Sequence, residues 1–382
     1  MIFSRIQLKN WKNFKDVDVQ LNNRMFVIGP NAAGKSNFLD VFNFLSDVAS
    51  DGLEKAVNSR NGVSALRCLA ARKVTDISIK VWIDDVWTYE LVIKGKKGTE
   101  PRVEKEVVRK QYKKSSRAII SRPDKEDKKD SERLTQTALE QVNANKPFRE
   151  VATFFKTVSY RHILPQVVRS PRDFSPVSVT DDPFGRDLVS QIWNTPSRTR
   201  KSRLKKINDV LQIAVPQLSD LTVDMDQPTG LAHLETRYQH WRLHGARQNE
   251  AAFSDGTLRL LALLWSLLET GGPLLLEEPE LSLHDEIVRQ LPAMFAKLDR
   301  GRKRTTRQVI ISTHSYAMLE DPGVGPGEVL ILAPGDNGTE VNPPEDTDIE
   351  IMQESGLSVA EYLLPKTNPH NATRLTLFDY DS

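Results

Sequence analysis

Gly29-Pro30-Asn31-Ala32-Ala33-Gly34-Lys35-Ser36 decides how the rest of this sequence is read. It satisfies G-x-x-x-x-G-K-[ST] at every specified position, the pattern of a loop that cradles a polyphosphate. Its flanks have the required shape. Met25-Phe26-Val27-Ile28 is a short apolar run that predicts a buried strand, and Phe38, Leu39, Val41, Phe42 and Leu45 fall at the spacing of one helix face. Strand, glycine loop and helix together aim successive backbone N–H groups at a bound phosphate. In that arrangement Gly29 and Gly34 let the backbone come close, Lys35 reaches the β- and γ-phosphates, and the Ser36 hydroxyl ligates Mg²⁺. Gly29, Pro30, Asn31, Ala32, Ala33, Gly34, Lys35, Ser36 and Asn37 are therefore the candidate nucleotide-binding residues. A chance match would require the flanking strand and helix to be coincidences as well.

At 382 residues the chain can bury a large core, and length alone allows about two or three domains. A hydrophobic fraction of 39% and a charged fraction of 27% describe an ordinary soluble protein. The most apolar stretch, Leu258 to Leu268, is too short to span a bilayer and carries Arg259, so no membrane partner is expected. Arg5, Lys9, Lys12 and Lys15 interrupt any early apolar run, which argues against a signal peptide. The single cysteine, Cys68, excludes an internal disulfide and a cysteine-based metal cluster. The expectation is a cytoplasmic protein.

The net charge of +2 is unevenly placed. Lys94 to Arg133 holds 15 basic against 8 acidic residues, Arg198 to Lys206 is basic at six of nine positions, and Arg300 to Arg307 at five of eight. Gly335 to Ser382 has ten acids and two bases. Two readings stay open: solvated surface, or a nucleic-acid face with a separate partner face.

Along the chain, Ile2 to Leu8 alternates like a strand, Asn10 to Phe14 makes a polar turn, and Val17, Val19 and Leu21 mark a second strand. Ile77, Ile79, Val81 and Ile83, then Val86, Tyr89, Leu91 and Ile93, predict two more strands joined at Asp84-Asp85. Gly95 to Asp130 is so highly charged that it predicts a mobile extension. Helical spacing recurs at Leu134–Val142, Phe148–Phe155 and Leu188–Val215, while Ser159 to Leu164 is strand-like up to Pro165. There are no coiled-coil heptads and no solenoid repeat.

Three further stretches carry chemistry. Phe253-Ser254-Asp255-Gly256-Thr257 precedes a strongly apolar helix whose N-terminus would attract phosphate; the lesser alternative is that Ser254 is an ordinary N-cap. Pro273-Leu274-Leu275-Leu276-Glu277-Glu278-Pro279-Glu280 is a buried strand delivering carboxylates at its C-terminal end, where ligands of open α/β sheets sit. Gln308-Val309-Ile310-Ile311-Ser312-Thr313-His314-Ser315 is a third buried strand ending in a histidine, a residue that is more often structural when alone.

In this order the motifs resemble the RecF, SMC and OLD-like branch of the ABC-type P-loop ATPases. Ile6-Gln7-Leu8-Lys9-Asn10-Trp11-Lys12-Asn13-Phe14 resembles that branch's I-x-L-x-N-[FW]-[KR] opening, whose hairpin lies beside the nucleotide. Ser254 to Thr257 is similar to the S-D-G-T form of the signature loop, which departs from the usual L-S-G-G-Q. It implies that Ser254 and Gly256 bind the γ-phosphate held by an opposite protomer. Leu274 to Glu278 looks like a Walker B strand. The resemblance implies that Glu277, where an aspartate is usual, supports Mg²⁺ and that Glu278 orients or deprotonates the attacking water. Leu281-Ser282-Leu283-His284 resembles the D-loop, and His314 the switch histidine that contacts the γ-phosphate; Gln166 is a candidate for the Mg²⁺-sensing glutamine.

The resemblance implies an α/β fold: a P-loop ABC-type ATPase head assembled from both chain ends, residues 1–94 and 246–334. A mostly helical inserted lobe is expected at 95–245 and an acidic C-terminal segment at 335–382. ATP and Mg²⁺ are the implied cofactors, with Lys35, Glu278 and His314 catalytic, Ser36 and Glu277 on the metal, and a homodimer as the working unit. Three functions follow. The first is an ATP hydrolase that gates DNA binding or a partner effector in phage defence or DNA repair. The second is a non-hydrolysing ATP-sensing scaffold, with Glu277 spoiling the Mg²⁺ chemistry. The third, a transporter's ATPase subunit, is disfavoured by the opening hairpin, the inserted lobe and the S-D-G-T signature. The stretch after Ser315 is short for the Toprim nuclease of OLD-like proteins, so an effector on another polypeptide is expected. Leu357, Val359, Tyr362, Leu363 and Leu364, with Leu375, Leu377 and Phe378, would dock it unless this segment packs back on its own head.

Overall fold

The computed structural model describes residues 1–71, 76–95, 98–112, 115–173, 182–239, 245–299 and 307–368. Strands β1 (Phe3–Trp11) and β2 (Phe14–Gln20) form the opening hairpin, and β3 (Arg24–Ile28) runs into the glycine loop. After the helix Lys35–Asp51 come β4 (Ile77–Ile83), β5 (Trp87–Lys94), β6 (Arg102–Tyr112) and β7 (Ser115–Arg122). They complete an antiparallel sheet ordered β2-β1-β4-β5-β6-β7. Further on lie β8 (Ser159–Arg161) and a three-stranded sheet of β9 (Leu218–Asp226), β10 (Leu231–Tyr238) and β11 (Ala246–Asn249). Strands β12 (Leu274–Glu277), β13 (Val309–Ser312), β14 (Val329–Gly335) and β15 (Gly338–Asn342) finish a second six-stranded sheet, β15-β14-β3-β13-β12-β8. That sheet is parallel except for β15.

A parallel sheet covered on both faces needs strands that are apolar throughout. β3 meets this demand: Met25 and Val27 enter the core shared with the antiparallel sheet, while Phe26 and Ile28 enter a second core on the outer face. The helix Lys35–Asp51 fills the space between the two sheets. Its Phe42 ring lies 4.8 Å from Phe3 and its Phe38 ring 6.2 Å from Phe14, while Phe3 also meets Phe154 of the helix Arg149–Lys156 at 4.9 Å. Such aromatic pairs add about 0.5–1.5 kcal/mol each beyond their buried area. A third core joins Leu204, Ile207 and Leu211 of the helix Ser197–Ala214 to the helix Asp255–Leu268.

Several expectations are corrected. Residues 95–245 are not mostly helical, because β6 to β11 fall within or at the edge of them. The charged stretch Gly95–Asp130 contributes β6 and β7, with Val103, Val107 and Val108 buried. Its charges are largely paired: Lys105 with Glu90 at 2.6 Å, Lys110 with Glu150 at 3.1 Å, and buried Arg122 with both Glu106 and Asp127. An antiparallel sheet can leave one face in water, so a strand at its edge tolerates a composition that reads as disordered. No α-helix forms at Leu134–Val142, where a 3₁₀ turn, Ser131–Thr135, precedes turns and Val142 is exposed. Leu188–Val215 does form two helices, Leu188–Asn194 and Ser197–Ala214. The described part of the acidic C-terminal segment, residues 335–368, packs back on its own head: Val359, Ala360 and Leu363 are buried in the outer core with Met318. Leu375, Leu377 and Phe378 lie outside the described residues. Among the described residues no helix is long and apolar enough to cross a membrane.

Candidate nucleotide site

The glycine loop is clamped by the opening hairpin. Asn13 Nδ2 donates to the Ala33 carbonyl and to Thr339 Oγ1, each at 2.8 Å, and Asn13 Oδ1 accepts from Asn37 Nδ2 at 2.8 Å. Trp11 Nε1 donates to the Asn37 carbonyl at 2.9 Å. Gly34 has φ +96° and a Cβ there would collide with the Asn13 side chain, so both the dihedral and the space call for glycine. Lys35 is buried and its Nζ donates to the carbonyls of Gly29 at 3.0 Å and Pro30 at 3.3 Å.

The C-terminal ends of β3, β12 and β13 bring the other predicted residues together. Ser36 Oγ donates to Glu277 Oε1 at 2.5 Å. Glu278 follows β12 in a left-handed conformation (φ 42°), tied by its N–H to the Ser312 carbonyl at 3.0 Å, and its Oε1 lies 3.3 Å from His314 Nδ1. Glu280 is buried; its Oε1 accepts from Thr313 Oγ1 at 2.6 Å and from the His314 N–H at 3.3 Å. Burial pushes the Glu280 carboxyl pKa up, against the pull of those bonds. A hydroxyl and a carboxylate in contact are hard oxygen donors suited to Mg²⁺. Among the described residues no group of three or more His, Cys, Asp or Glu could hold a metal alone. Magnesium carried on a nucleotide needs only one or two protein oxygens.

Ser254 and Gly256 make their own local contacts. Ser254 N-caps the helix Asp255–Leu268, its Oγ accepting from the Thr257 N–H at 3.2 Å. A Cβ on Gly256 would lie 2.5 Å from the Ser282 carbonyl oxygen, so the start of this helix rests directly on the backbone at Ser282. Arg169 Nη2 holds the same loop through Asp255 Oδ1 at 2.5 Å and the Phe253 carbonyl at 2.8 Å. No hydrogen bond or ion pair among the described residues joins Ser254 or Gly256 to residues 29–37.

Sequence reasoning missed two residues that do reach the site. Tyr160 donates its hydroxyl to Glu277 Oε2, and His162 Nδ1 lies 3.4 Å from the Glu277 carbonyl oxygen. Both belong to the strand-like stretch Ser159–Leu164, two residues apart and hence on one face, which was the available signal. Gln166 is instead exposed on the short helix Pro165–Arg169. A cavity of about 990 Å³ opens beside Ser36 and Asn37, lined also by Lys12, Asn13, Tyr160 and Phe184, with room for a nucleoside. On its wall Arg60 pairs with Asp40 at 2.7 Å and Asp47 at 2.8 Å.

The family described as "AAA domain, putative AbiEii toxin, Type IV TA system" matches residues 24–70 and 82–320, well over half of the chain. The chain belongs to this family. With its glycine loop at Gly29 to Ser36, this AAA-domain protein is of the P-loop, ATP-binding type. In fold it is similar to an SMC head bound to the C-winged helix domain of ScpA, with TM-score 0.55, 14% identity, and coverage of 91% of this chain and 99% of that one. A Pyrococcus furiosus Smc head with an extended coiled coil, bound to the C-terminal domain of ScpA, gives TM-score 0.52 and 11% identity over 93% and 99%. Endonuclease GajA of Bacillus cereus (strain VD045) is 45% identical over 47 residues, 12% of this chain and 8% of that protein. The AAA-domain chain therefore matches only a small part of GajA's length.

Proposed function

We propose that this chain hydrolyses ATP, with Lys35, Ser36, Glu277, Glu278 and His314 forming one nucleotide site and Ser254 and Gly256 completing the site of a second copy. The observation that carries this is the meeting of Ser36 with Glu277 at 2.5 Å and of Glu278 with His314 at 3.3 Å. Both lie at the C-terminal ends of adjoining parallel strands, where a nucleotide held by the glycine loop would present its γ-phosphate. Lys35 leaves the loop carbonyls for the phosphates and supplies a positive charge there. Glu278 accepts the proton of the attacking water, and His314, beside it, donates to the γ-phosphate. Ser36 and Glu277 would hold Mg²⁺, which when bound neutralises charge developing on the β- and γ-phosphates. That Glu277 reaches Ser36 favours a working site over a scaffold spoiled by its longer arm.

Steady-state phosphate release tests the reading. Lys35→Ala is expected to lose nucleotide binding, whereas Glu278→Gln should bind ATP yet hydrolyse it at least about 100-fold more slowly. Rapid turnover by Glu278→Gln would remove that residue from its role.

The 47-residue stretch shared with an endonuclease, GajA, supports the reading that ATP turnover gates a nucleolytic effector, in phage defence or DNA repair. That effector would be a Toprim-type nuclease or another protein acting in trans, with DNA as a further partner. Purifying the chain with its neighbour-encoded proteins, with and without ATP, tests this; ATP-independent nuclease activity of the pair would count against gating.

A further inference from the structure

We propose that Tyr160 is a positioning residue for Glu277, and that the Ser36–Glu277–Tyr160 chain is what lets a glutamate serve where related ATPases place an aspartate. This rests on the ATPase reading above. β8 pairs in parallel with β12, with Tyr160 opposite Leu275, so Glu277, two residues beyond Leu275, points to the same face of the sheet. That face packs against the core holding Leu275 and the helix that begins at Lys35. A long side chain is needed to reach from Tyr160 to Glu277, and the phenol supplies it. The Glu277 carboxylate then has both oxygens engaged: Oε1 accepts from Ser36 Oγ and Oε2 from the Tyr160 hydroxyl.

Glutamate has one more rotatable bond than aspartate, and fixing it costs conformational entropy. A second hydroxyl bond to the carboxylate, of the strong charge-assisted kind, removes that freedom without adding charge. An aspartate would fall short by one methylene, about 1.5 Å, and could not span Ser36 and Tyr160 together. Glu277 and Tyr160 therefore work as a pair. Tyr160 also lines the large cavity beside the glycine loop, so its ring could instead stack on a nucleobase. Removing the hydroxyl alone separates the two roles.

The test titrates a fluorescent ATP analogue into wild type, Tyr160→Phe, Glu277→Asp and the double variant, first in EDTA and then across a Mg²⁺ series. Affinity in EDTA should be unchanged in Tyr160→Phe, because the glycine loop is untouched. The Mg²⁺ needed for half-maximal tightening should rise by roughly 10- to 100-fold, the usual loss when a ligand's supporting partner is removed. Glu277→Asp should behave alike, and the double variant no worse than Glu277→Asp. A Mg²⁺ curve for Tyr160→Phe that matches wild type overturns the proposal, as do losses that multiply in the double variant. Should Tyr160→Phe melt early, Glu277→Asp with an unchanged Mg²⁺ curve overturns it from the other end. A wild type that binds no ATP would sink the ATPase reading itself, which is a different result.

Discussion

At the scale of single residues, strain gathers around the nucleotide loops. Ala32 (φ 63°), Glu278 (φ 42°) and Ser282 (φ 63°) hold left-handed backbone that costs an L-residue on the order of 1 kcal/mol or more. Neighbouring bonds enforce it, as where the Leu281 N–H donates to the Glu278 carbonyl at 3.2 Å. A second residue-scale tension lies in the cavity wall, where one guanidinium serves two carboxylates. Burial raises the Asp40 pKa, but Arg60 and Lys12 together overcome it and hold the carboxyl below its usual value. Asp47 pairs with Arg60, which it shares with Asp40, and burial pushes its carboxyl up to about 6 from 3.8. A folded value above the unfolded one means that this group's stabilising contribution is complete below 3.8 and is lost as pH rises through about 6. Asp47→Asn should therefore melt progressively better relative to wild type between about pH 4 and pH 8, by at most about 3 kcal/mol. Thermal melts across that range check it. A difference that stays flat would mean that Asp47 is ionised throughout.

At the scale of elements, the helix Ser197–Ala214 shows what a charge run conceals. Leu204, Ile207 and Leu211 bury one face, while Arg198, Lys201, Lys205 and Lys206 are exposed. Arg200 and Arg203 are half-buried, their guanidinium groups over the rings of Trp193 at 4.5 Å and Trp265 at 5.1 Å. Those contacts are worth about 0.5–1 kcal/mol each, so the two arginines hold the helix in place rather than offering it to a polyanion. If the helix contacts DNA, reversing Arg198, Lys201, Lys205 and Lys206 should weaken binding to every sequence alike and leave the melting temperature near wild type. The slope of log K against log salt should fall by about 0.9 for each phosphate no longer neutralised. Filter binding over a salt series reads both quantities, and a wild type that ignores DNA at low salt ends the idea. Periodicity made this helix legible in advance, but which of its six basic residues face aromatic rings depends on packing from two other helices.

At the scale of the whole molecule, the proposed sharing of sites between two copies turns on Ser254 and Gly256, which make no hydrogen bond to the glycine loop of their own chain among the described residues. Ser254 caps its own helix and is exposed, and Gly256 lies close against the Ser282 carbonyl. If two heads share their sites, Ser254→Arg should bind ATP normally yet fail to hydrolyse it, and so should not complement itself. Mixing it with Lys35→Ala protein should recover a fraction of the phosphate release, because one site of the mixed dimer is intact. No recovery at concentrations where wild type dimerises would count against sharing. The C-terminal segment belongs to the head in the same physical sense. Thr339 of β15 receives the Asn13 hydrogen bond and its N–H donates to the Asn13 carbonyl at 2.8 Å, while Val359 and Leu363 fill the outer core. Cutting after Pro334 would therefore open the outer core and remove the Thr339 bonds to the hairpin that clamps the glycine loop, so residues 335–368 are needed for the head's own packing.

The amino-acid sequence determined what is local. The glycine loop, the apolar run before Glu277 and the run before His314 each carry their meaning in consecutive residues, because a strand buried on both faces and a loop that wraps phosphate impose tight local composition. Tertiary structure alone decided which of these ends become neighbours. The order β15-β14-β3-β13-β12-β8 is far from chain order, and no apolar run says which strand it will lie beside. For the same reason Asn13 and Thr339, 326 residues apart, and Tyr160 and Glu277, 117 apart, left no mark in sequence spacing. The strands β6 and β7 were hidden differently: their solvent-facing charges outweighed a short buried set, Val103, Val107 and Val108, that only pairing with the adjoining β5 makes sense of. Contacts made across such distances are chosen by packing and by the pairing of buried polar groups, and neither exists until the chain has folded.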